Sequence, residues 1–278
     1  MKKVNRLYII SSIIFIISFI LFLIYILKTT CEKNEMSRLS EDIKESYKEE
    51  DKEGQAKDNG LDYYIIGDQP VISEFKDLYL KNNDIIGWIK VEGTNIDYPV
   101  MQTPEDEQFY LHRDFYKEYS FCGCIFADAE ANIDRPSDNI ITYGHHMIDK
   151  SMYSEIECWE SEDYYKKHRF LEFDTLRATG TYEIIAAFRT AVYPDNYKGF
   201  EYYRFVNASD ESEFNDYVLE CKKLTPYTVP TSAEFGDQLI TLSTCAYHRV
   251  NGRFVLVAKK IKGEEIDYMK APIEVIDN

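Results

Sequence analysis

Apolar residues crowd the start of the chain, thin out, and then return in short runs separated by turn residues. Positions 7–27 carry no charge, and Lys2, Lys3 and Arg6 stand before them. At ~1.5 Å per residue such a run crosses a hydrocarbon core of ~30 Å. No small-residue cleavage pattern follows before Lys28, so residues 1–28 read as a cytoplasmic tip and a retained transmembrane signal anchor. The positive flank keeps the tip inside and sends the rest of the chain out of the cytoplasm. Positions 29–70 are a linker dense in Glu, Lys and Asp, with too few large apolar residues to bury a core.

From Val71 the pattern becomes that of a folded domain, spanning 71–278. Ile72, Phe75, Leu78 and Tyr79 recur at helical spacing and predict a short N-terminal helix. Strand-like runs follow at 85–91 and 95–100 around a Glu92-Gly93 turn, then at 123–128, 139–143, 170–174, 182–190, 239–242 and 254–258. Helices are predicted at 151–156, 162–167 and 210–223, the last with Phe214, Tyr217, Val218 and Cys221 on one face. Positions 193–204 are aromatic and polar with no clear period. Many short strands, few helices and no βαβ alternation predict a mainly β fold closed into a barrel.

Composition narrows the picture. The 278 residues suffice for one sizeable domain with appendages. A net charge of −17 argues against nucleic acid as a partner. The 23 tyrosines and 16 phenylalanines favour a β-rich fold. The six cysteines do not form an evident disulfide framework. Cys122 and Cys124 share one face of a strand, where a bridge would strain the backbone, and Cys158 and Cys221 sit on amphipathic segments as small buried hydrophobes.

Candidate chemistry gathers at 238–259, where two apolar strands flank a loop containing Asn251-Gly252. Cys245 ends the first strand and Arg253 begins the second. Paired side by side, these strands bring a thiol and a permanent cation to one rim; a cation favours thiolate, and a guanidinium fork suits an oxygen that gains charge during acyl transfer. A proton carrier is still needed. His145, just past Gly144 and the strand at 139–143, sits where loops and function concentrate. His146 would face the other way. His248 reads as solvated, and His112 and His168 as surface or ordinary tertiary contacts. No Cys/His grouping has zinc-ligand spacing, so neither a catalytic metal nor a cofactor is expected.

Taken together, Tyr143-Gly144-His145-His146, Thr241-Leu242-Ser243-Thr244-Cys245 and Arg253 followed by Phe254-Val255-Leu256-Val257-Ala258-Lys259 resemble the motifs of class B sortases, over roughly 71–262. The phrasing around Gly87-Trp88-Ile89 and Asp97-Tyr98-Pro99-Val100 is similar too. The resemblance implies an eight-stranded sortase-type barrel with peripheral helices, one of them, 210–223, between the sixth and seventh strands. It implies a membrane-anchored cysteine transpeptidase with its catalytic domain outside the cytoplasm. Cys245 would be the nucleophile, His145 the acid/base and Arg253 the stabilising cation. Tyr197 and Ala246 would line the substrate site, the Ala246 N–H as a second oxyanion donor; the hydroxyls of Ser243 and Thr244, beside the nucleophile, are substrate-binding candidates that position backbone or substrate, or else hydrogen-bond at the strand edge. The implied partners are secreted proteins with a C-terminal sorting signal of Asn-Pro-x-Thr type, cut after Thr, a peptidoglycan precursor or cross-bridge amine, and the lipid bilayer through residues 7–27. A pilin-polymerising sortase with a protein lysine as acceptor, and a non-enzymatic tethered binding domain, are the alternatives. Arg249 is a second candidate cation. Cys122-Gly123-Cys124-Ile125 resembles the nucleophile motif of L,D-transpeptidases, but Cys122 and Phe126 stand where that family has a polar residue and an arginine.

Overall fold

The computed structural model describes residues 8–24, 41, 43–45, 60–247 and 249–277. They belong to two compact units, residues 1–42 and 43–278. In the first, residues 8–24 form helix α1, with its Ile, Leu and Phe side chains exposed. Among the described residues no helix is long and apolar enough to cross a membrane. Leu7 and residues 25–27 of the apolar run lie outside the described residues, as does most of the linker.

The second unit holds, in chain order, β1 (Tyr63–Ile66), β2 (Gln69–Ile72), α2 (Lys76–Lys81), β3 (Ile85–Lys90), β4 (Asp97–Met101), β5 (Ile125–Ala127) and β6 (Asn139–Gly144). After these come α3 (Glu162–Lys167), β7 (Phe170–Thr175), β8 (Thr181–Ala191), α4 (Glu211–Leu224), β9 (Leu239–Cys245), β10 (Gly252–Lys262) and β11 (Val275–Ile276). Eight strands pair in the order β10-β8-β7-β3-β4-β5-β6-β9, and β9 pairs back onto β10, which closes the barrel. The β4–β5 and β6–β9 pairs are parallel and the rest antiparallel.

The predicted helix before the first barrel strand is α2, and the one between the sixth and seventh barrel strands is α4. Asp210 caps α4 by accepting the Glu213 N–H at 3.0 Å, while the Glu213 carboxylate turns back to the Ser209 N–H at 2.7 Å. This resembles a capping box displaced by one residue and fixes where the helix begins. The apolar face of α4 presents Phe214, Tyr217, Val218 and Cys221 to Ile185 and Phe188 of β8 and to Val255 and Val257 of β10. Strands β9 and β10 are therefore covered outside as well as inside; β10 reads as a continuous apolar run over 254–258, while β9 buries Thr241, Ser243 and Thr244 among its apolar residues.

Two segments depart from expectation. The stretch expected to be helical at 151–156 forms a 3₁₀ helix over Ser154–Glu160 instead. Residues 63–70 read as linker in the sequence, yet β1 and β2 form a hairpin turned at Gly67 and Asp68, with Gly67 at φ +63°. A two-residue hairpin turn needs such a positive φ, which glycine supplies without strain. Upstream, residues 43–45 are helical, Ile43 is buried, and Lys44 lies 3.7 Å from the Asp97 carboxylate and over the Tyr98 ring.

Candidate active site

Strand register builds the site. Across the antiparallel β9–β10 pair, Cys245 is the direct partner of Arg253. Across the parallel β6–β9 pair, Gly144 is the partner of Thr244, so His145 leaves β6 beside the residue that carries the thiol. Three strands that end together thus bring a thiol, an imidazole and a guanidinium to one rim.

The hydroxyl residues of 241–244 are buried and spent on holding those strands. Thr241 Oγ1 donates to Asn139 Oδ1 at 2.9 Å, and Asn139 Nδ2 donates to the Phe205 carbonyl at 2.8 Å. Thr142 Oγ1 lies 2.9 Å from Tyr153 Oη. Ser243 Oγ pairs with Tyr202 Oη at 2.6 Å. Thr244 Oγ1 donates to the Gly144 carbonyl at 2.8 Å, tying the end of the thiol strand to the end of the histidine strand. A buried polar group without a partner would cost more than any of these bonds gains, so the network selects one register. Ser243 and Thr244 are 1% and 2% exposed; adjacent on β9, they point to opposite sides of the strand, and both hydroxyls are engaged within the fold, the strand-edge bonding that the sequence left open beside substrate contact.

Gly144 has a steric role. A Cβ there would fall 2.5 Å from Ile125 Cδ1 and 2.8 Å from Tyr153 Cγ. Only glycine lets β6 run this close to β5 and the Tyr153 ring before His145 emerges.

The His145 ring is half-buried. Its Nε2 lies 2.8 Å from the Leu111 carbonyl. A carbonyl only accepts, so Nε2 carries the hydrogen and Nδ1 is the nitrogen left to exchange a proton in the neutral ring. Burial lowers the His145 pKa below its ordinary 6.5; the Leu111 carbonyl opposes that shift and His112 adds to it. The His112 ring lies against that of His145, centroids 5.4 Å apart and planes 25° apart. His112 reads as a surface residue in the sequence, and its place beside His145 comes from a contact 34 positions long at Leu111.

His146 turns to the opposite side, as strand alternation requires. Its Nε2 is 3.2 Å from Glu157, which also meets Arg189, and Tyr247 packs edge-on to its ring. His168 Nδ1 is 3.1 Å from the Glu92 carbonyl, away from these residues in the fold. His248 lies outside the described residues.

Arg253 is half-buried and spends one N–H on the Gly252 carbonyl at 2.9 Å. The same carbonyl accepts the Ala246 N–H at 2.9 Å, so that donor is engaged here rather than open to an oxyanion. Arg253 and Cys245 both act on Tyr202, whose phenol burial pushes up to about 12. The second candidate cation, Arg249, stacks over Tyr193 at 5.0 Å, and Tyr193 lies flat on Tyr197 at 3.9 Å. Tyr197 is 39% exposed, a side chain open to a bound chain.

The rival thiol has the wrong surroundings. Cys124 is buried, and burial, reinforced by Asp114, pushes its pKa far above the ordinary thiol value. A group so placed stays thiol and is inert. Cys124, Cys158, Cys221 and Cys245 carry free thiols, and Cys245 is partly exposed.

Known proteins share this fold. No family model matches the chain. Sortase B of Staphylococcus aureus is 35% identical over 191 residues, 68% of this chain and 75% of that protein. The structure of a Staphylococcus aureus sortase B–substrate complex superposes with a TM-score of 0.70 at 26% identity, covering 84% of this chain and 99% of the other. A sortase B structure complexed with triglycine gives a TM-score of 0.70 at 27% identity, over 83% of this chain and 99% of that one. The chain belongs to the sortase B family of cysteine transpeptidases.

Proposed function

We propose that this chain is a membrane-anchored sortase that cuts a C-terminal sorting signal of Asn-Pro-x-Thr type after Thr and joins the new end to a cell-wall peptide amine. The observation that carries the reading is the register: Cys245 opposite Arg253, with His145 one residue beyond the Gly144–Thr244 pair. Burial favours neutral His145, whose Nδ1 takes the Cys245 proton. The thiolate sulfur bonds to the Thr carbonyl carbon, and the oxygen gains the negative charge that the Arg253 guanidinium offsets. The C–N bond then breaks, and the imidazolium proton goes to the leaving amine. A thioester remains. An incoming amine attacks it, His145 takes the amine's proton, and the sulfur leaves as the amide forms. With water in place of the amine the same steps give hydrolysis.

The Staphylococcus aureus sortase B–substrate complex and the sortase B–triglycine complex support a peptide donor and an amine acceptor for this chain as well. Tyr197, exposed beside Tyr193 and Arg249, is a groove-lining residue in this reading. The uncharged run at 7–27, of which residues 8–24 are helical, with Lys2, Lys3 and Arg6 before it, supports a single-pass anchor with the catalytic domain outside.

Mass spectrometry tests the reading. The full-length chain in detergent, incubated with an Asn-Pro-x-Thr-type peptide, is expected to carry a covalent adduct on Cys245. The adduct should be absent in Cys245→Ala, slow to form in His145→Ala and Arg253→Ala, and discharged by oligoglycine or by a diamino-acid peptide. An adduct on Cys124 would refute the assignment. Discharge only by a lysine within a folded protein would favour a pilin-type acceptor.

A further inference from the structure

The turn that faces His145 is tightly constrained for a segment that carries none of the three reacting groups. Its residues Phe109–His112 form a 3₁₀ turn. The segment 120–124 clamps it from outside: the Ser120 N–H donates to the His112 carbonyl at 3.0 Å and the Cys124 N–H to the Tyr110 carbonyl at 3.0 Å. Between these bonds sits Gly123 at φ +58°, where a Cβ would fall 2.5 Å from the carbonyl oxygens of both Tyr110 and Leu111. The Leu111 carbonyl is the one that receives His145 Nε2. The residue after it, His112, lays its ring on the ring of His145 and keeps its outer side exposed. One turn therefore touches the imidazole twice, at an edge and on a face.

We propose that His112 is a positioning residue for the transfer reaction: packed over His145 while the Leu111 carbonyl holds Nε2–H, it confines the imidazole to one orientation and one tautomer, with Nδ1 turned to the proton it exchanges. This rests on the reading of His145 as the acid/base. An imidazole held only at Nε2 can still rotate about that bond, and a ring stacked on its face removes the rotation. A second imidazole does more than a phenyl ring would, because once protonated it opposes a second positive charge ~5 Å away.

The charged groups around this pair are few. Cys245 and Arg253 stand at the same rim on β9 and β10. On the turn's own side, Arg113 packs over Phe109 and donates to the Lys117 carbonyl, Lys117 pairs with Asp84 at 2.9 Å, and Asp114 accepts the Tyr116 and Glu118 N–H groups. His146 and Glu157 pair with each other on the other side of β6.

The test compares His112→Phe, which keeps a flat ring without a charge, with His112→Ala, which removes both. The full-length chain in detergent, labelled with ¹⁵N in its histidine rings, reports the His145 tautomer and titration without any substrate, and His145→Gln identifies the signals. In the unaltered chain His145 is expected as the Nε2–H tautomer. In His112→Ala it becomes a mixture of tautomers, and adduct formation on Cys245 slows by about tenfold or more. In His112→Phe the tautomer is kept, the rate falls less, and the His145 midpoint rises, the direction set by losing a neighbouring cation. If both variants keep the tautomer, midpoint and rate of the unaltered chain, the proposal is overturned. If His112→Ala does not fold, the midpoint of His112→Phe decides alone, since a purely structural ring would leave it in place. Should the peptide form no adduct with any chain, the reading of the substrate fails, while the ring spectra still decide the role of His112.

Discussion

Gly144→Ala asks whether the end of β6 must lie where it does. The added Cβ would meet Ile125 Cδ1 at 2.5 Å and Tyr153 Cγ at 2.8 Å, against ~3.5–4.0 Å for ordinary carbon contacts. About 1 Å must therefore be found somewhere. Ile125 and Tyr153 are fully buried, and Thr142 fixes the Tyr153 hydroxyl, so neither side chain has open space to enter. Overpacking of this kind costs about 1–3 kcal/mol. In a domain of this size each kcal/mol lowers Tm by about 2–4 °C, so a drop of about 2–12 °C is expected. Whatever part of the clash the core does not absorb moves the strand end, and with it His145. A misplacement of ~1 Å at a reacting group costs on the order of 10²-fold in rate. Thermal unfolding and single-turnover adduct formation on Cys245 read the two effects separately. Alkylation of Cys245 at high pH, where the thiol ionises without help, should keep its normal rate and show that the thiol strand is in place. Ile125→Val deletes the closer of the two contacts, so Gly144→Ala with Ile125→Val should recover part of both losses. Normal Tm and normal transfer in Gly144→Ala would falsify the steric argument, and so would a loss that Ile125→Val leaves untouched.

Other perturbations act on neighbouring features. Thr244→Val keeps the shape but deletes the bond to the Gly144 carbonyl; it should cost about 1 kcal/mol in urea unfolding and slow the transfer while Cys245 still alkylates fully. Native-state alkylation at neutral pH, mapped by mass spectrometry, should mark Cys245 and spare Cys124, whose thiol burial keeps protonated; early labelling of Cys124 would contradict its placement. The pH dependence of stability has a definite sign. His145 has a folded pKa below its ordinary 6.5, so between those values the unfolded chain binds more protons. Stability contributed by this site should fall as pH drops from about 6.5 through the folded value and level off below it. His145→Gln should flatten that part of the profile, and an unchanged slope in urea titrations across pH 5–7, roughly the window concerned, would reject the cause assigned.

The sequence made the strand pairs around the thiol legible because their signals are local. Apolar runs, a turn at Asn251-Gly252 and residues standing at strand ends suffice to set Cys245 against Arg253; His145 stands at a strand end too, but its link to Cys245 comes from the motif resemblance, since β6 meets β9 from 100 positions away. What escaped depends on distant chain. His112 carries nothing in its own neighbourhood that marks it, since its meaning comes from folding back onto His145. The Ala246 N–H is read as an open donor until the Gly252 carbonyl is seen to face it. The hydroxyls of Ser243 and Thr244 stand beside the nucleophile in sequence, yet cover by neighbouring elements leaves both engaged within the fold, one with Tyr202 and one with the Gly144 carbonyl. The β1–β2 hairpin was hidden by the charge-dense stretch before it, although Gly67-Asp68 is turn chemistry. Its third partner, β11, lies far along the chain, and a two-residue parallel strand leaves no pattern to find.

That small sheet has a mechanical consequence. Once the upstream contacts of Lys44 with Asp97 and of Leu61 with Ile266 have given way, a pull on the chain ahead of Tyr63 enters β1 at Tyr63 and is resisted through β2 at Ile72, its direct partner across the hairpin. Force applied at one end of an antiparallel pair loads the ladder bonds one after another rather than together. The parallel partner does not change this, because the chain reaches β11 at Val275, on the same side as the entering load. The hairpin should therefore peel at low force and lengthen the upstream chain by up to ~3.3 Å for each residue released. The barrel bonds between β6, β9 and β10 lie outside that path. The same small sheet would thus serve as a compliant element, yielding to a pull from upstream while the reacting strands stay in register.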